Sequence, residues 1–352
     1  MASTAEEYLV EWDDLEPGMR VARDIENRYG GVLVPAGSIL TESTIYKLKE
    51  LNYFYVHIIS EAEEERKDYI KEISEKEKAY REEVEKAAAL YKRVKYQEKL
   101  DYDEFQNLTE NSMELSNKLE LDELLAMLRD TDEYTYTHLL NVAILCSIVG
   151  KWLGLPEKRI EKLTQAGLLH DVGKAKVPDE ILQKPDTLTD EEYEIVKKHS
   201  LYGYKIVEDA EFINQEVAQG VLTHHEKFGG QGYPLGLKGG DIPLFGRIMA
   251  ICDAFDAITA ERIYRRKKSP FEALKILGRE NFTYYDPELR QFFMDNVPNY
   301  FLHETVRLNN KEQGKIVFIN PREPGYPIVK VEDEYLDLSE NPDIKIEEII
   351  KN

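Results

Sequence analysis

Residues 222–234 read Leu-Thr-His-His-Glu-Lys-Phe-Gly-Gly-Gln-Gly-Tyr-Pro, so two adjacent histidines, His224 and His225, run directly into a glycine-rich turn. Working outward, apolar stretches of helical character on both sides carry groups of the same chemistry. His199 lies within 191–207, His170 and Asp171 end 160–170, His138 lies in 137–153, and Asp253 lies in 245–260. Five of the seven histidines fall in this set; His57 and His303 stand apart and read as structural or surface groups. Burying so many imidazoles and carboxylates in apolar helices is costly unless they share a purpose. Imidazole with carboxylate and without thiolate suits iron, manganese or zinc in a hydrolytic role.

Two metal ions sharing such work need roughly six to eight protein ligands and a bridging carboxylate, because one ion activates water while both neutralise phosphate charge. Asp171, beside His170, fits the bridge. His170, His138 and Asp253 would then serve one metal, and His199, His224 and His225 the other.

The bulk properties narrow the setting. The chain has 352 residues, 42% hydrophobic and 32% charged, with a formal net charge of −22. That charge speaks against non-specific binding to DNA or to an anionic membrane surface. It leaves room for a small anionic ligand, since Arg262, Arg265, Arg266, Lys267 and Lys268 concentrate positive charge in one short segment. No apolar run is long enough to span a membrane. The acidic start MASTAEEYLVEWDD does not read as a secretory leader. Two cysteines, Cys146 and Cys252, sit in apolar helical segments, which reads as a reduced cytoplasmic protein without a disulfide framework.

Pattern along the chain predicts a mainly α protein of four parts. Residues 1–60, with glycine and proline between short apolar runs, read as a small α+β module. Residues 61–121 hold no proline or glycine before 120 and read as a helical linker. Its Tyr80, Val84, Ala87, Tyr91 and Val94 follow spacings of four and three, which fits either a seam joining two subunits of a homodimer or an amphipathic helix packed on its own chain. Residues 122–302 are helical and carry every metal-type residue. Residues 303–352 read as a small β-rich appendage with strands near 314–319, 328–331 and 335–338 and a short acidic helix over 344–351.

Five segments together resemble the HD-GYP family, a branch of the HD phosphohydrolase superfamily: YTYTHLLNVA (134–143), GLLHDVGK (167–174), KKHSLYGY (197–204), LTHHEKFGGQGYP (222–234) and ICDAFDAITAERIYR (251–265). The resemblance spans 122–302, about half the chain. It implies a helical domain with a buried binuclear centre of iron or manganese that cleaves cyclic di-GMP to pGpG, with a slower second cleavage to GMP, hydroxide generated at the metals attacking phosphorus. On that footing the metal ligands are His138, His170, Asp171, His199, His224, His225 and Asp253. Lys174 contacts the scissile phosphate and stabilises its developing charge. Arg262 and Arg265 bind phosphate, for which the guanidinium fork is suited.

In the turn, Gly229, Gly230 and Gly232 would bring main-chain N–H groups to a phosphate or base. Tyr233 would stack on guanine or pack, and Pro234 would stiffen the exit. Glu226 and Asp256 are expected to orient the ligating imidazoles.

Two positions depart from the family pattern. Some members carry a glutamate, a ligand for a third metal, four residues before the first histidine. Here that position is Tyr134, and Glu133 is turned about 100° away on a helix, so two metals are expected rather than three. Ile263 stands where proline is common, which bears on how Arg262 and Arg265 are presented. The rival readings are a cyclic di-GMP receptor with little turnover and an HD-type phosphohydrolase for another nucleotide.

Overall fold

The computed structural model describes residues 7–350 apart from 12–13, 27–31, 42–43, 46–47, 50–52, 54, 60–62, 120, 127–133, 185, 261–267, 280–282 and 333; the side chains of 7–8, 26, 32, 63–74, 122, 126 and 134 also lie outside the described set. The chain forms two compact units. One comprises 1–78, 301–319 and 327–352, the other 79–300 and 320–326.

The first unit is mostly β. Strands β1 (Glu7–Glu11), β2 (Arg20–Val21) and β5 (Tyr55–Ile59) form an antiparallel sheet in the order β1–β5–β2, and β3 (Ile25–Glu26) pairs with β4 (Val32–Val34). Alternation along β5 buries Val56 and Ile58 beside Val10, Val21, Leu40 and Leu48, the period-two pattern of a half-buried sheet. The C-terminal part of this unit is a five-stranded antiparallel sheet in the order β10–β6–β7–β8–β9. Its strands are β6 (Thr305–Leu308), β7 (Gln313–Phe318), β8 (Ile328–Val331), β9 (Glu334–Asp337) and β10 (Ile346–Ile350). The acidic helix expected over 344–351 is therefore β10. Pairing with β6 buries Ile346 and Ile350 and overrides a local pattern that fits either state.

The second unit is helical. The linker, expected as one helical stretch, is two helices: α1 (Glu63–Lys95), of which the part from Ala79 onward falls in this unit, and α2 (Tyr102–Lys118). The break needs neither glycine nor proline. Gln97 takes a left-handed φ of 63°, Glu98 N–H closes back onto the Arg93 carbonyl, and the Asp101 side chain caps α2 by accepting from Glu104 N–H. Tyr80, Val84, Ala87, Tyr91 and Val94 of α1 are all buried within their own chain. The expected intersubunit seam is thus consumed by intrachain packing over this stretch, and the amphipathic-helix reading holds there.

After α3 (Leu121–Ala126), α4 (Tyr134–Trp152) runs through the middle of the unit. Residues 139–146 are almost wholly buried, as for a helix that is apolar all round. It is followed by α5 (Glu157–Leu169), a 3₁₀ turn (Val172–Lys176), α6 (Asp179–Leu182), α7 (Asp190–Lys197), α8 (His199–Glu208), α9 (Gln215–Thr223), α10 (Leu244–Thr259), α11 (Pro270–Arg279) and α12 (Pro287–Asn296). Side chains start them: Thr189 and Glu192 form a reciprocal capping box on α7, Asn214 caps α9 and Asp286 caps α12. No helix among the described residues is long and apolar enough to cross a membrane.

Candidate metal centre

Close backbone packing brings the candidate ligands together. On α5, a Cβ at Gly167 would lie 2.6 Å from the Ala143 Cα of α4, so glycine lets these two helices touch and sets His170 beside His138. In the 3₁₀ turn, a Cβ at Gly173 would lie 1.9 Å from the His199 carbonyl oxygen and 2.4 Å from Gly203 N, which presses the Asp171 turn onto α8. The helix expected over 191–207 breaks at Lys198 into α7 and α8, so His199 begins a helix instead of sitting inside one.

Three histidines are held in one way. Nδ1 of His170 donates to the Gly167 carbonyl (2.8 Å), that of His199 to Val196 (2.7 Å) and that of His224 to Val221 (2.7 Å). A carbonyl only accepts, so the proton is on Nδ1 and the Nε2 lone pair faces inward. His138 is held through a carboxylate instead, its Nδ1–H donating to Asp256 Oδ2 at 2.6 Å.

The inward atoms form two groups that share Asp171. His138, His170 and Asp171 make one, and Asp171, His199, His224 and His225 the other; within each, the ligand atoms lie within 4.8 Å of one another. Asp171 Oδ2 is 3.4 Å from His170 Nε2 and 3.7 Å from His138 Nε2, and its Oδ1 is 3.3 Å from His199 Nε2. Asp253 Oδ1 adjoins the first group, 3.0 Å from His138 Nε2 and 4.0 Å from His170 Nε2. His170, Asp171, His199 and His224 are at most 2% exposed.

This donor set fits a divalent metal. His199 Nε2 and His224 Nε2 face each other at 3.4 Å, two lone pairs without a proton between them. Among the described residues the buried Asp171 Oδ1 has no hydrogen-bond partner, although it faces His199. Acceptors converging on acceptors in a buried site need a cation between them.

The electrostatics agree. Burial, with help from neighbouring rings, lowers the pKa of His199, puts that of His224 well below its ordinary value and brings that of His225 down to about 3, so these rings are neutral. Burial opposes ionisation of Asp171, but Lys174 and the adjacent imidazoles hold its pKa well below the usual carboxylate range. His138 differs. Burial disfavours its charge, yet Asp253 and Asp256 outweigh that and raise its pKa to about 10.

The remaining expected residues divide. Lys174 sits in the 3₁₀ turn with its ammonium on Asp171 Oδ2. Asp256 orients an imidazole as expected, the His138 ring. Glu226 does not: its carboxylate accepts from Leu235 N–H (2.7 Å) and Leu237 N–H (3.0 Å), tying the loop beyond Pro234 to the turn after His225. The Tyr233 ring lies 4.8 Å from that of His225 at 37°, with the Lys197 ammonium 5.8 Å from its centre.

In the glycine turn, most of the expected phosphate-binding N–H groups are already engaged. Those of Phe228, Gly229, Gly230 and Tyr233 donate to Tyr284, Thr283, Lys227 and His225 carbonyls. Gly232 serves packing, because a Cβ there would lie 2.2 Å from Lys227 N. Arg262, Arg265, Glu133 and the side chain of Tyr134 lie outside the described residues.

Sequence reasoning missed Asn141 and Gly173. Asn141 follows His138 by three positions on the same helix face, a fully buried amide in an apolar helix, and that was a usable signal. Gly173 carried none, since only the fold shows what lies against it.

Residues 122–289 match the HD domain family model. A cyclic di-GMP phosphodiesterase of Pseudomonas aeruginosa is 37% identical over 207 residues, covering 59% of this chain and 50% of that protein. One from Thermotoga maritima is 37% identical over 177 residues, covering 50% and 48%. A 3'3'-cGAMP-specific phosphodiesterase of Vibrio cholerae is 37% identical over 163 residues, covering 46% and 31%. The chain thus spans about half the length, or less, of these curated relatives. Among solved structures, an HDG"Y"P protein from Bdellovibrio bacteriovorus superposes with a TM-score of 0.52 at 17% identity, over 82% of this chain and 98% of that one, a likeness of fold. The histidine and aspartate motifs that gather at one buried centre thus lie within the stretch, residues 122–289, that matches the HD domain model.

Proposed function

We propose that this chain is a metal-dependent phosphodiesterase that hydrolyses cyclic di-GMP to pGpG, with at most a slow second cleavage to GMP. The observation carrying the reading is the buried Asp171, whose two oxygens serve two groups of ligand atoms. His138, His170, Asp171 and Asp253 would hold one divalent ion, iron or manganese, and Asp171, His199, His224 and His225 a second. Bound there, the ions lower the pKa of coordinated water to about 7 and neutralise phosphate charge. The chain's own groups do the rest. The neutral imidazoles present lone pairs, and Asp171 holds the two subsites in register. Lys174, about 30% exposed beside that carboxylate, meets the scissile phosphate. Tyr233, Pro234 and Gly232 shape the wall next to His225, with Arg262 and Arg265 as further phosphate contacts.

In this reading 122–302 is the catalytic domain, 1–60 a regulatory module, 61–121 the linker and 303–352 an appendage, in a cytoplasmic protein. The names of the relatives support the substrate class. Because some act on 3'3'-cGAMP, that dinucleotide is the second candidate substrate. The test is a time course of anaerobically Fe(II)- or Mn(II)-loaded protein with each cyclic dinucleotide, resolved by chromatography, with metal content measured on the same sample. Accumulation of pGpG with about two metals per chain supports the proposal. Preferential cleavage of 3'3'-cGAMP moves the substrate assignment. Binding without cleavage at full metal loading gives the receptor reading instead.

A further inference from the structure

A hydrogen-bonded relay runs from the linker helix to the metal-facing ring of His138. The Tyr80 hydroxyl donates to Asn141 Oδ1 at 2.7 Å, Asn141 Nδ2 donates to Asp256 Oδ1 at 2.9 Å, and Asp256 Oδ2 lies 2.6 Å from His138 Nδ1. All four residues are buried: Asn141 and Asp256 are fully inaccessible, Tyr80 is 3% exposed and His138 4%. We propose that Tyr80 is a positioning residue for His138, acting through Asn141 and Asp256. Tyr80 lies on α1, outside the 122–289 match, on a helix whose residues 63–78 belong to the other unit.

The direction of every proton in the relay follows from the chemistry of its members. The ionised carboxylate of Asp256 only accepts, so Asn141 must turn its NH₂ toward it. The amide oxygen then faces Tyr80, and the hydroxyl must donate. Were the amide to flip, its oxygen would face the carboxylate at 2.9 Å, acceptor against acceptor in a buried site. The Tyr80 hydroxyl is what favours the right orientation, by satisfying the end of the amide that Asp256 does not. Held this way, Asp256 keeps Oδ2 for His138 Nδ1–H and aims Nε2 at Asp253 and His170, 3.0 Å and 3.3 Å away. His170, His199 and His224 each place Nδ1–H on a carbonyl of their own segment. His138 alone of these four places it on a carboxylate with further polar groups behind it.

The inference rests on His138 being a metal ligand, and its signature is selectivity between subsites. Removing the hydroxyl weakens the subsite of His138 and leaves that of His199, His224 and His225 intact. The experiment is an anaerobic Mn(II) titration of the full chain, free Mn(II) being counted by its electron paramagnetic resonance signal. Wild type, Tyr80→Phe, Asn141→Ala, the double variant and Val84→Ala are compared. Val84 is a buried apolar neighbour on the same helix and makes a packing control.

Loss of an outer partner of a metal-bound histidine costs roughly 10–100-fold in affinity. Tyr80→Phe is expected to weaken one Mn(II) site by about tenfold, the low end of that range, and to leave the other unchanged. Asn141→Ala should do at least as much, and the double variant no more than Asn141→Ala, because the two residues act in series. Val84→Ala should lower the melting temperature without changing either affinity. Equal affinities for wild type and Tyr80→Phe overturn the inference, as does a loss at both sites that Val84→Ala reproduces. Should Tyr80→Phe fail to fold, a site-selective loss in Asn141→Ala supports the relay and an equal loss at both sites overturns it. Wild-type protein that takes up no Mn(II) removes the metal-centre reading and this inference with it.

Discussion

Replacing Gly173 with alanine should disable the centre without touching any of its ligands. The added Cβ would be built 1.9 Å from the His199 carbonyl oxygen, 2.4 Å from Gly203 N and 2.9 Å from His199 C. All three are backbone atoms, so no side chain can swing aside. Restoring an ordinary contact of 3.4 Å or more requires the Asp171 turn and α8 to separate by about 1.5 Å. That displacement acts directly on the pair that joins the two subsites, Asp171 Oδ1 and His199 Nε2, now 3.3 Å apart. A shared cation tolerates no such change. Sites of this kind work within roughly 0.5 Å of their productive geometry, and a 1 Å misplacement can cost on the order of 100-fold in rate.

The expected result is therefore loss of at least one metal per chain and a fall in turnover on the order of 100-fold. Overpacking should add about 1–3 kcal/mol of destabilisation. Elemental analysis after anaerobic loading, chromatographic rates and thermal melts measure the three effects. Gly173→Ala protein that holds as much metal as wild type and turns over within threefold of it would refute the reasoning, because the turn would then have moved without cost to the centre.

Asp171→Ala should abolish metal uptake in both subsites together with turnover, read by elemental analysis on folded protein; retention of one full metal would show that Asp171 does not join the subsites. Glu226→Ala should leave metal content unchanged while stranding the Leu235 and Leu237 N–H groups, at about 1–3 kcal/mol for each amide that stays buried. Its effect should therefore appear as a raised KM and easier proteolysis of the loop; metal loss would mean that Glu226 supports an imidazole after all. Metal loading should release about one proton per chain between about pH 7 and 9, as His138 gives up the proton that Asp253 and Asp256 stabilise. Calorimetry in buffers of different ionisation enthalpy measures it. With a folded pKa of about 10 against an ordinary 6.5, the stability that protonated His138 gives the metal-free protein is fully present below 6.5 and is lost as pH rises through 10. Metal-free melting temperatures should accordingly fall over that window, and a flat profile would contradict the ion pairing of His138.

What could be read in the sequence and what could not divide along a physical line. The centre was legible because its residues are expensive: His170, Asp171, His199 and His224 stand in segments otherwise fit only for a core, and burial of such groups demands a shared reason. Asp256 was legible on the same ground. Glu226 belongs to the same class and misled, because its partners are the N–H groups of Leu235 and Leu237, and a main-chain donor leaves no mark on residue identity. The linker misled in a related way. Lack of glycine and proline does not ensure an unbroken helix when Gln97 can enter the left-handed region and Asp101 can start a new one. Residues 346–350 became a strand because β6 was there to pair with them, a partner distant along the chain. Tyr80 was legible only as an apolar seam residue. Its ring does pack as one, but its hydroxyl ends on Asn141, 61 positions along the chain, and that bond gives a seam position its second role.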